Sequence, residues 1–219
     1  MKNILCLNTC FRSAEIMAVG EKVEFERVDA NCKHSEHVLP EVEKVLKRAN
    51  LGVKDVDVLG VCVGPGSFTG IRIGVALVKG FGFSRDLPCV AFNSFEVIAE
   101  QYFLNQSEAE EVVVVLDGLG GFVFVSKLGR YGEVLVEPTC MSLAEMAEFI
   151  KQNSCEYVCH EDDKDKFALK SVELTQAAYE NVLNRKLLTG KTVSCAEISP
   201  LYLRKSQAEV ELEKKNANK

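Results

Sequence analysis

Three short apolar segments open the chain, NILCLNT (3–9), SAEIMAV (13–19) and KVEFERVD (22–29), each alternating or running apolar between polar breaks. The pattern predicts three strands joined as a meander. Over 35–49 the period changes, and Val38, Leu39, Val42, Val45, Leu46 and Ala49 recur at three- and four-residue spacing. This predicts an amphipathic helix, with Pro40 tolerated near its first turn. A strand at 57–63, a helix ending near 84, a strand at 88–92 and a helix from 94 to about 104 complete a βββαβαβα order. An antiparallel entry followed by strands linked through helical crossovers predicts a mixed sheet.

The second half echoes the first. VVVVLDGLGGFVFVSK (112–127) repeats the design of ILCLNTCFRSAEIMAV (4–19): a strand, Asp117 or Asn8 at its end, a turn and a second strand. A third strand (132–140), a helix (142–152), a strand (155–160) and helices near 163–170 and 175–188 continue the echo in shortened form. The expected organisation is an α/β chain of two related lobes, 1–106 and 107–208, hinged near 108–111, with a solvated polar tail at 209–219.

The segment LGVCVGPGSFTGIRIGVALVKG (59–80) reads as a strand, a glycine-proline turn and a helix carrying Gly66, Gly70 and Gly74 in one row. Each helical glycine costs roughly 1 kcal/mol relative to alanine, so the row implies close approach by another helix or by a phosphate. Phosphate fits poorly: the dinucleotide fingerprint is missed by one residue, and Ile71 and Arg72 follow Gly70 where a Walker loop needs Lys and Ser or Thr. Helix packing is the preferred reading, with Ser67 or Thr69 as cap and Arg72 pointing outward. On that reading Gly74→Leu is expected to block a partner helix and leave the fold intact.

The 219 residues are 47% hydrophobic, enough for one large core or two modest ones and incompatible with disorder. No stretch approaches 18 uninterrupted apolar residues, and MKNILCLNTC does not read as a signal peptide, so a cytoplasmic protein is expected. A net charge of −6 lacks the basic stripe that direct nucleic-acid binding demands. The nine cysteines are odd in number, and Cys6, Cys62 and Cys89 fall in strand-like runs, as small core hydrophobes of a reducing compartment do. Cys155, Cys159 and His160 lack zinc-site spacing and read as a core strand. His34, Glu36 and His37 read as a helix cap or partner contact before a metal site, and Cys32 as a loop thiol. There is no HExxH motif and no Gly-x-Ser-x-Gly elbow, so no metal and no hydrolase chemistry are expected.

In order, ILCLNT, KHSEHVLPEVEKVL, GVCVGPGSFTGIRIGVALVKG, FNSFEVIAE, VVVLDGLGGFVFVS and PLYLRKSQAE resemble the TsaB (YeaZ) family across essentially the whole chain. The resemblance implies an actin-like (ribonuclease H-like) ATPase fold of two lobes with mixed sheets. It also implies a role in making threonylcarbamoyladenosine beside the anticodon of tRNA. The family member is implied to be non-catalytic and free of cofactor. Its implied partners are TsaD, the related subunit that carries metal and transfers the threonylcarbamoyl group, and TsaE, an ATPase. Alone it is implied to form a homodimer, to reach tRNA only through the complex, and to have no membrane contact. Asn8 stands where the family usually has Asp, which removes a carboxylate that a magnesium-phosphate site would want. Leu119, Phe122 and Phe124 replace polar members around Asp117.

Two functions are set against each other. In the first, a binding subunit pairs with TsaD through His34, Glu36, Val38, Leu39 and Val42 of one helix and Gly66, Phe68, Gly70, Ile71, Gly74 and Val78 around the other. Asn8 and Asp117 would then mark a vestigial nucleotide site. In the second, the chain is an actin-fold small-molecule kinase or ATPase, which would need a carboxylate at each hairpin turn and a phosphate loop.

Overall fold

The structure, a computed structural model, describes residues 2–28, 34–83 and 85–204, without the side chains of His34 and Ser35. The expected tail at 209–219, the loop thiol Cys32 and the cap formed by His34 and Ser35 lie outside that description. The first lobe begins with β1 (Ile4–Asn8), β2 (Ala14–Val19) and β3 (Val23–Val28), then α1 (His34–Arg48), β4 (Val58–Cys62), α2 (Phe68–Phe83), β5 (Pro88–Phe92) and α3 (Ser94–Asn105). The second runs β6 (Glu111–Asp117), β7 (Phe122–Gly129), β8 (Val134–Ser142), α4 (Leu143–Gln152), β9 (Tyr157–His160), β10 (Lys170–Val172) and α5 (Gln176–Leu188). A last short strand, β11, spans Val193–Ser194.

The two sheets share one plan. The first is ordered β11-β5-β4-β1-β2-β3 and the second β10-β9-β6-β7-β8. In each, the three entry strands are antiparallel and the crossover strands pair parallel to the first, at β1 with β4 and at β6 with β9. The expected actin-like pair of mixed sheets is therefore present. The shortening falls where α2 would recur: 161–169 holds a 3-10 turn (Glu161–Asp163) followed by irregular chain, not the helix expected near 163–170. Lys166 there bridges Asp117 at 2.6 Å and Asp163 at 2.9 Å, and those two bonds tie the segment to the end of β6.

The expected lobe boundaries also move, because the last helices are exchanged. α3 packs on β6, β7, β9 and β10 of the second sheet, whereas α5 packs on β5 of the first, and the two helices pack against each other. β11 pairs antiparallel with β5, so the chain after 176 has returned to the first lobe. One continuous core results, running from Leu5, Leu7 and Val61 through Phe95 and Ile98 to Val112, Val114 and Leu183. The alternate residues Val113 and Val115 face a smaller cluster under Met146 of α4, as the two-residue strand period requires.

Strand alternation also separates the helices of the first lobe. Leu59 faces α2, its Cδ1 3.3 Å from where a Cβ on Gly82 would sit, and Gly60 faces α5, where a Cβ would lie 2.9 Å from Leu183 Cδ2. The glycine row of α2 thus points inward. A Cβ on Gly70 would run into the Thr9 carbonyl oxygen, one on Gly74 into the Thr9 hydroxyl, and one on Gly66 into the Cys10 carbonyl. The close neighbour is the β1–β2 turn of the same chain, locked by Thr9 Oγ1 donating to Gly70 O (2.6 Å) and Ser67 N donating to Cys10 O (2.8 Å). Ser67 caps the helix by accepting from Gly70 N at 3.2 Å. A leucine at 74 would meet Thr9 rather than solvent, which overturns the expectation that it would leave the fold intact.

Gly70→Ala should therefore lower stability by at least 1–3 kcal/mol, roughly the cost of overpacking a filled site. Gly80→Ala should raise it by about 1 kcal/mol, because nothing lies within 4 Å of its Cβ position and alanine is the better helix former. Urea midpoints at unchanged slope will read both.

Candidate functional site

The same alternation that sends Thr9 toward α2 sends Asn8 to the opposite face of β1, under α5. There Asn8 is buried and its amide donates to Tyr179 Oη at 2.7 Å and to Glu15 Oε2 at 3.1 Å. Tyr179 donates to the same Glu15 oxygen, and Arg27 grips Glu15 Oε1 at 3.1 Å. Arg27 also pairs with Glu173 and donates to Leu174 O at 2.7 Å, so β1, β2, β3 and α5 are joined by one network. Burial pushes the Glu15 carboxyl up, outweighing the Tyr179 hydroxyl, His160 and Arg27, which pull it down. Burial, then the Glu15 charge, hold Tyr179 protonated far above its ordinary range.

Asp117 occupies the corresponding position at the end of β6. Its carboxylate accepts from Leu119 N at 2.9 Å and pairs with Lys166, while its own N–H donates to Asp163 at 3.0 Å. Between the lobes, Phe11 stacks flat on His160 with centroids 3.8 Å apart, and Arg12 N donates to Asp162 at 2.8 Å. Burial works against the Asp162 charge, but His160 and the Arg12 amide prevail and hold its carboxyl below the usual range. Beside an open hollow of about 700 Å³ between α3, the β7–β8 turn and α5, lined by Phe103, Leu104, Arg130, Tyr131 and Arg185 among others, the lobes leave a cavity at the ends of β1 and β9, lined by Phe11, Ser13, Glu15, Arg27, His160 and Glu173 among others, that measures about 60 Å³. Small-molecule pockets run to about 300–1,000 Å³, so this one admits a few waters and no nucleotide. Asn8 and Asp117 do stand at matching strand ends, yet each is committed to neighbours of its own. Among the described residues no three His, Cys, Asp or Glu side chains are placed to hold a metal.

The partner-surface residues expected from sequence divide sharply. Val38, Val42, Gly70, Ile71, Gly74 and Val78 are buried in the chain's own core and cannot be met by a partner. Leu39 is 52% exposed, Glu36 and Gly66 are exposed, and Phe68 is half-buried. The surface of α2 is instead made by Thr69, Arg72, Ala76, Gly80 and Phe83, the last 87% exposed, with Ile73 and Leu77 half-buried at its edge and α1 packed alongside. Those five also recur at three- and four-residue spacing. The signal was present, with Arg72 on the solvent side.

The sequence matches the family model described as "TsaD: tRNA N6-adenosine threonylcarbamoyltransferase" over residues 28–177. It is 26% identical to the tRNA threonylcarbamoyladenosine biosynthesis protein TsaB of Haemophilus influenzae, covering 92% of this chain and 93% of that one. The protein of the same name from Bacillus subtilis is 29% identical over 80% of this chain and 82% of its own. The structure of YeaZ from Pseudomonas aeruginosa superposes with a TM-score of 0.77 at 20% identity, covering 93% of this chain and all of that one.

Asn8→Asp should cost about 3–5 kcal/mol at neutral pH, since it sets a second carboxylate beside buried Glu15 and removes a donor. Folding raises the Glu15 value, so the stabilisation belongs to its protonated form: present below the ordinary 4.5 and lost as pH rises through the raised value. Glu15→Gln should therefore gain stability relative to the parent as pH climbs from about 4.5 toward 7, measured by urea unfolding at each pH.

Proposed function

The chain belongs to the TsaB (YeaZ) family, a branch of the TsaD family, and from that premise we propose that it is a non-catalytic subunit in the synthesis of threonylcarbamoyladenosine on tRNA. The observation that carries this reading is the filled cleft: where an actin-fold enzyme would hold a nucleotide, Asn8, Glu15, Tyr179 and Arg27 satisfy one another around about 60 Å³. The kinase or ATPase reading needs two free carboxylates facing an open cleft. Asn8 carries no charge, and the Asp117 charge is engaged by Lys166.

Besides the open hollow between α3, the β7–β8 turn and α5, a surface remains available. The outward side of α2 at Ala76, Gly80 and Phe83, with Ile73 and Leu77 half-buried at its edge and Leu39 of α1, is the face on which a TsaD-type transferase docks in this proposal, helix against helix, burying apolar side chains around the Gly80 gap. Without that partner the same face pairs with its own copy. A TsaE-type ATPase then joins the pair, and tRNA is met through the assembly, in keeping with a net charge of −6. No helix among the described residues is long and apolar enough to cross a membrane, which accords with work on tRNA in the cytoplasm.

The purified chain alone should neither hydrolyse ATP nor modify tRNA, and modification should appear when TsaD- and TsaE-type proteins and the threonylcarbamoyl-adenylate donor are added. Magnesium-dependent ATPase activity of the chain alone, lost in Asp117→Ala, would sink the proposal. Phe83→Asp should keep the parent melting temperature yet weaken capture of the TsaD-type partner by roughly 100-fold, the scale of an interface hot spot, as read by calorimetric titration.

A further inference from the structure

After β11 the chain crosses from the first lobe to the second. Ile198 is buried, Pro200 offers no N–H, and the next amide, that of Leu201, donates at 2.7 Å to Val63 O just past the end of β4. Tyr202 then lies on Phe68 at the start of α2, ring centroids 4.8 Å apart, and its hydroxyl accepts from Arg72 Nε at 2.8 Å. These holds are all on the first lobe. Two residues on, Arg204 grips the second: its Nη1 donates to the carbonyls of Leu119 (2.8 Å) and Gly118 (3.3 Å) in the β6–β7 turn, and its guanidinium stands 4.2 Å from the Phe122 ring centroid. The turn is set for that grip. Leu119 takes φ 61°, a left-handed conformation costly for leucine, and the bonds at its two ends, from its N–H to Asp117 and from Arg204 to its carbonyl, hold it there.

The lobes are thus joined at their strand ends twice. One closure is the β1–β2 turn on the end of β9, through the Phe11–His160 stack and the bond from Arg12 N to Asp162, and the other is the segment 201–204 on the β6–β7 turn. The two differ in strength. Phe11 and His160 are each 7% exposed, whereas Tyr202 is 41% exposed and Arg204 is exposed, so water competes for its bonds and its contact with Phe122 is the weak, solvated kind. Segments held in this way open first. We propose that residues 201–204 are a releasable clasp between the lobes, pivoting at buried Ile198, and that its release from the β6–β7 turn loosens the Phe11–His160 closure as well. Both closures bridge the same two bodies, which share one core through α3 and α5, so an opening at one is carried to the other by hinge motion. The contact of Thr9 with α2 lies within the first lobe and is untouched.

Hydrogen exchange of single amides, read by NMR on the full chain, distinguishes a clasp from a loose end. The amide of Leu201 reports the segment itself, that of Arg12 reports the other closure, and those of Leu7 in β1 and Val114 in β6 report the sheets. Arg204→Ala and Tyr202→Ala should each speed exchange at Leu201 and at Arg12 by at least fivefold, with Leu7 and Val114 at parent rates. Phe122→Leu, which keeps the turn carbonyls and removes the ring, should give a smaller rise at the same two amides. Faster exchange at Leu201 with Arg12 at the parent rate means that the segment frays without moving the lobes, and overturns the clasp. Equal acceleration at all four amides, with a lowered melting temperature, assigns these side chains to global stability and overturns it too. Parent rates throughout in both alanine variants do the same.

Discussion

The contact on which the rest of the molecule depends is the wedging of Thr9 and Cys10 into the glycine row of α2. β1 is the central strand of its sheet, and its end must serve both faces at once. Alternation sends Asn8 toward α5 and Thr9 toward α2, so a single dipeptide sets the position of the two helices that sandwich the sheet. Because Gly66, Gly70 and Gly74 carry no side chains, α2 lies directly on backbone and hydroxyl atoms, a contact with little room for sliding. The outer face of α2 inherits that rigidity, which lowers the ordering cost of any partner that docks there.

The exchange of α3 and α5 has a related consequence. In a two-lobed enzyme the cleft opens and closes around its ligand, a motion that requires few contacts across the hinge. Here each lobe contributes its last helix to the other's sheet, one core runs through both, and the mouth of the cleft is closed by the Phe11–His160 stack and the bond from Arg12 to Asp162. The buried polar groups left inside are paired with one another, since among the described residues no buried side-chain nitrogen or oxygen lacks a partner. A cleft satisfied in this way gains nothing from a nucleotide. Its thiols are equally quiet: burial pushes Cys6 and Cys10 well above the ordinary range, and they act as small apolar residues.

A folded chain that has closed its cleft presents function through its outside. Its large exposed apolar side chains are spread over both lobes, at Phe83 of α2, at Leu119 and Leu143, and at Leu104, Tyr131 and Leu188, while surface ion pairs such as Lys47 with Glu43 and Arg48 with Glu26 occupy α1 and its neighbours. Exposed pairs of that kind contribute little to stability, and they keep the area around an apolar stripe soluble.

Local periodicity was sufficient for most of the architecture. The meander 3–29, the amphipathic α1, the change to α/β alternation and the repeated strand-turn-strand ending in Asn8 or Asp117 were legible in the sequence, because the two-residue and 3.6-residue periods are properties of a segment by itself. The glycine row announced a close approach for the same reason. What approached it was not legible: Arg72 marks one side of α2 as solvent, but the glycine row on the other side says only that something lies close, not whether it is a partner helix or the chain's own backbone. Only the β1–β2 turn, some 60 residues away in sequence, decides that (Thr9 with Gly70). The loss of a helix at 163–170 was hidden likewise, since the bonds from Lys166 to Asp117 and Asp163 that hold this segment include one that spans 49 positions. The exchange of α3 and α5, which redraws the lobe boundary, is a choice between two sheets of the same plan. Two similar apolar surfaces offer similar burial energy, and only the connectivity of the folded chain distinguishes them.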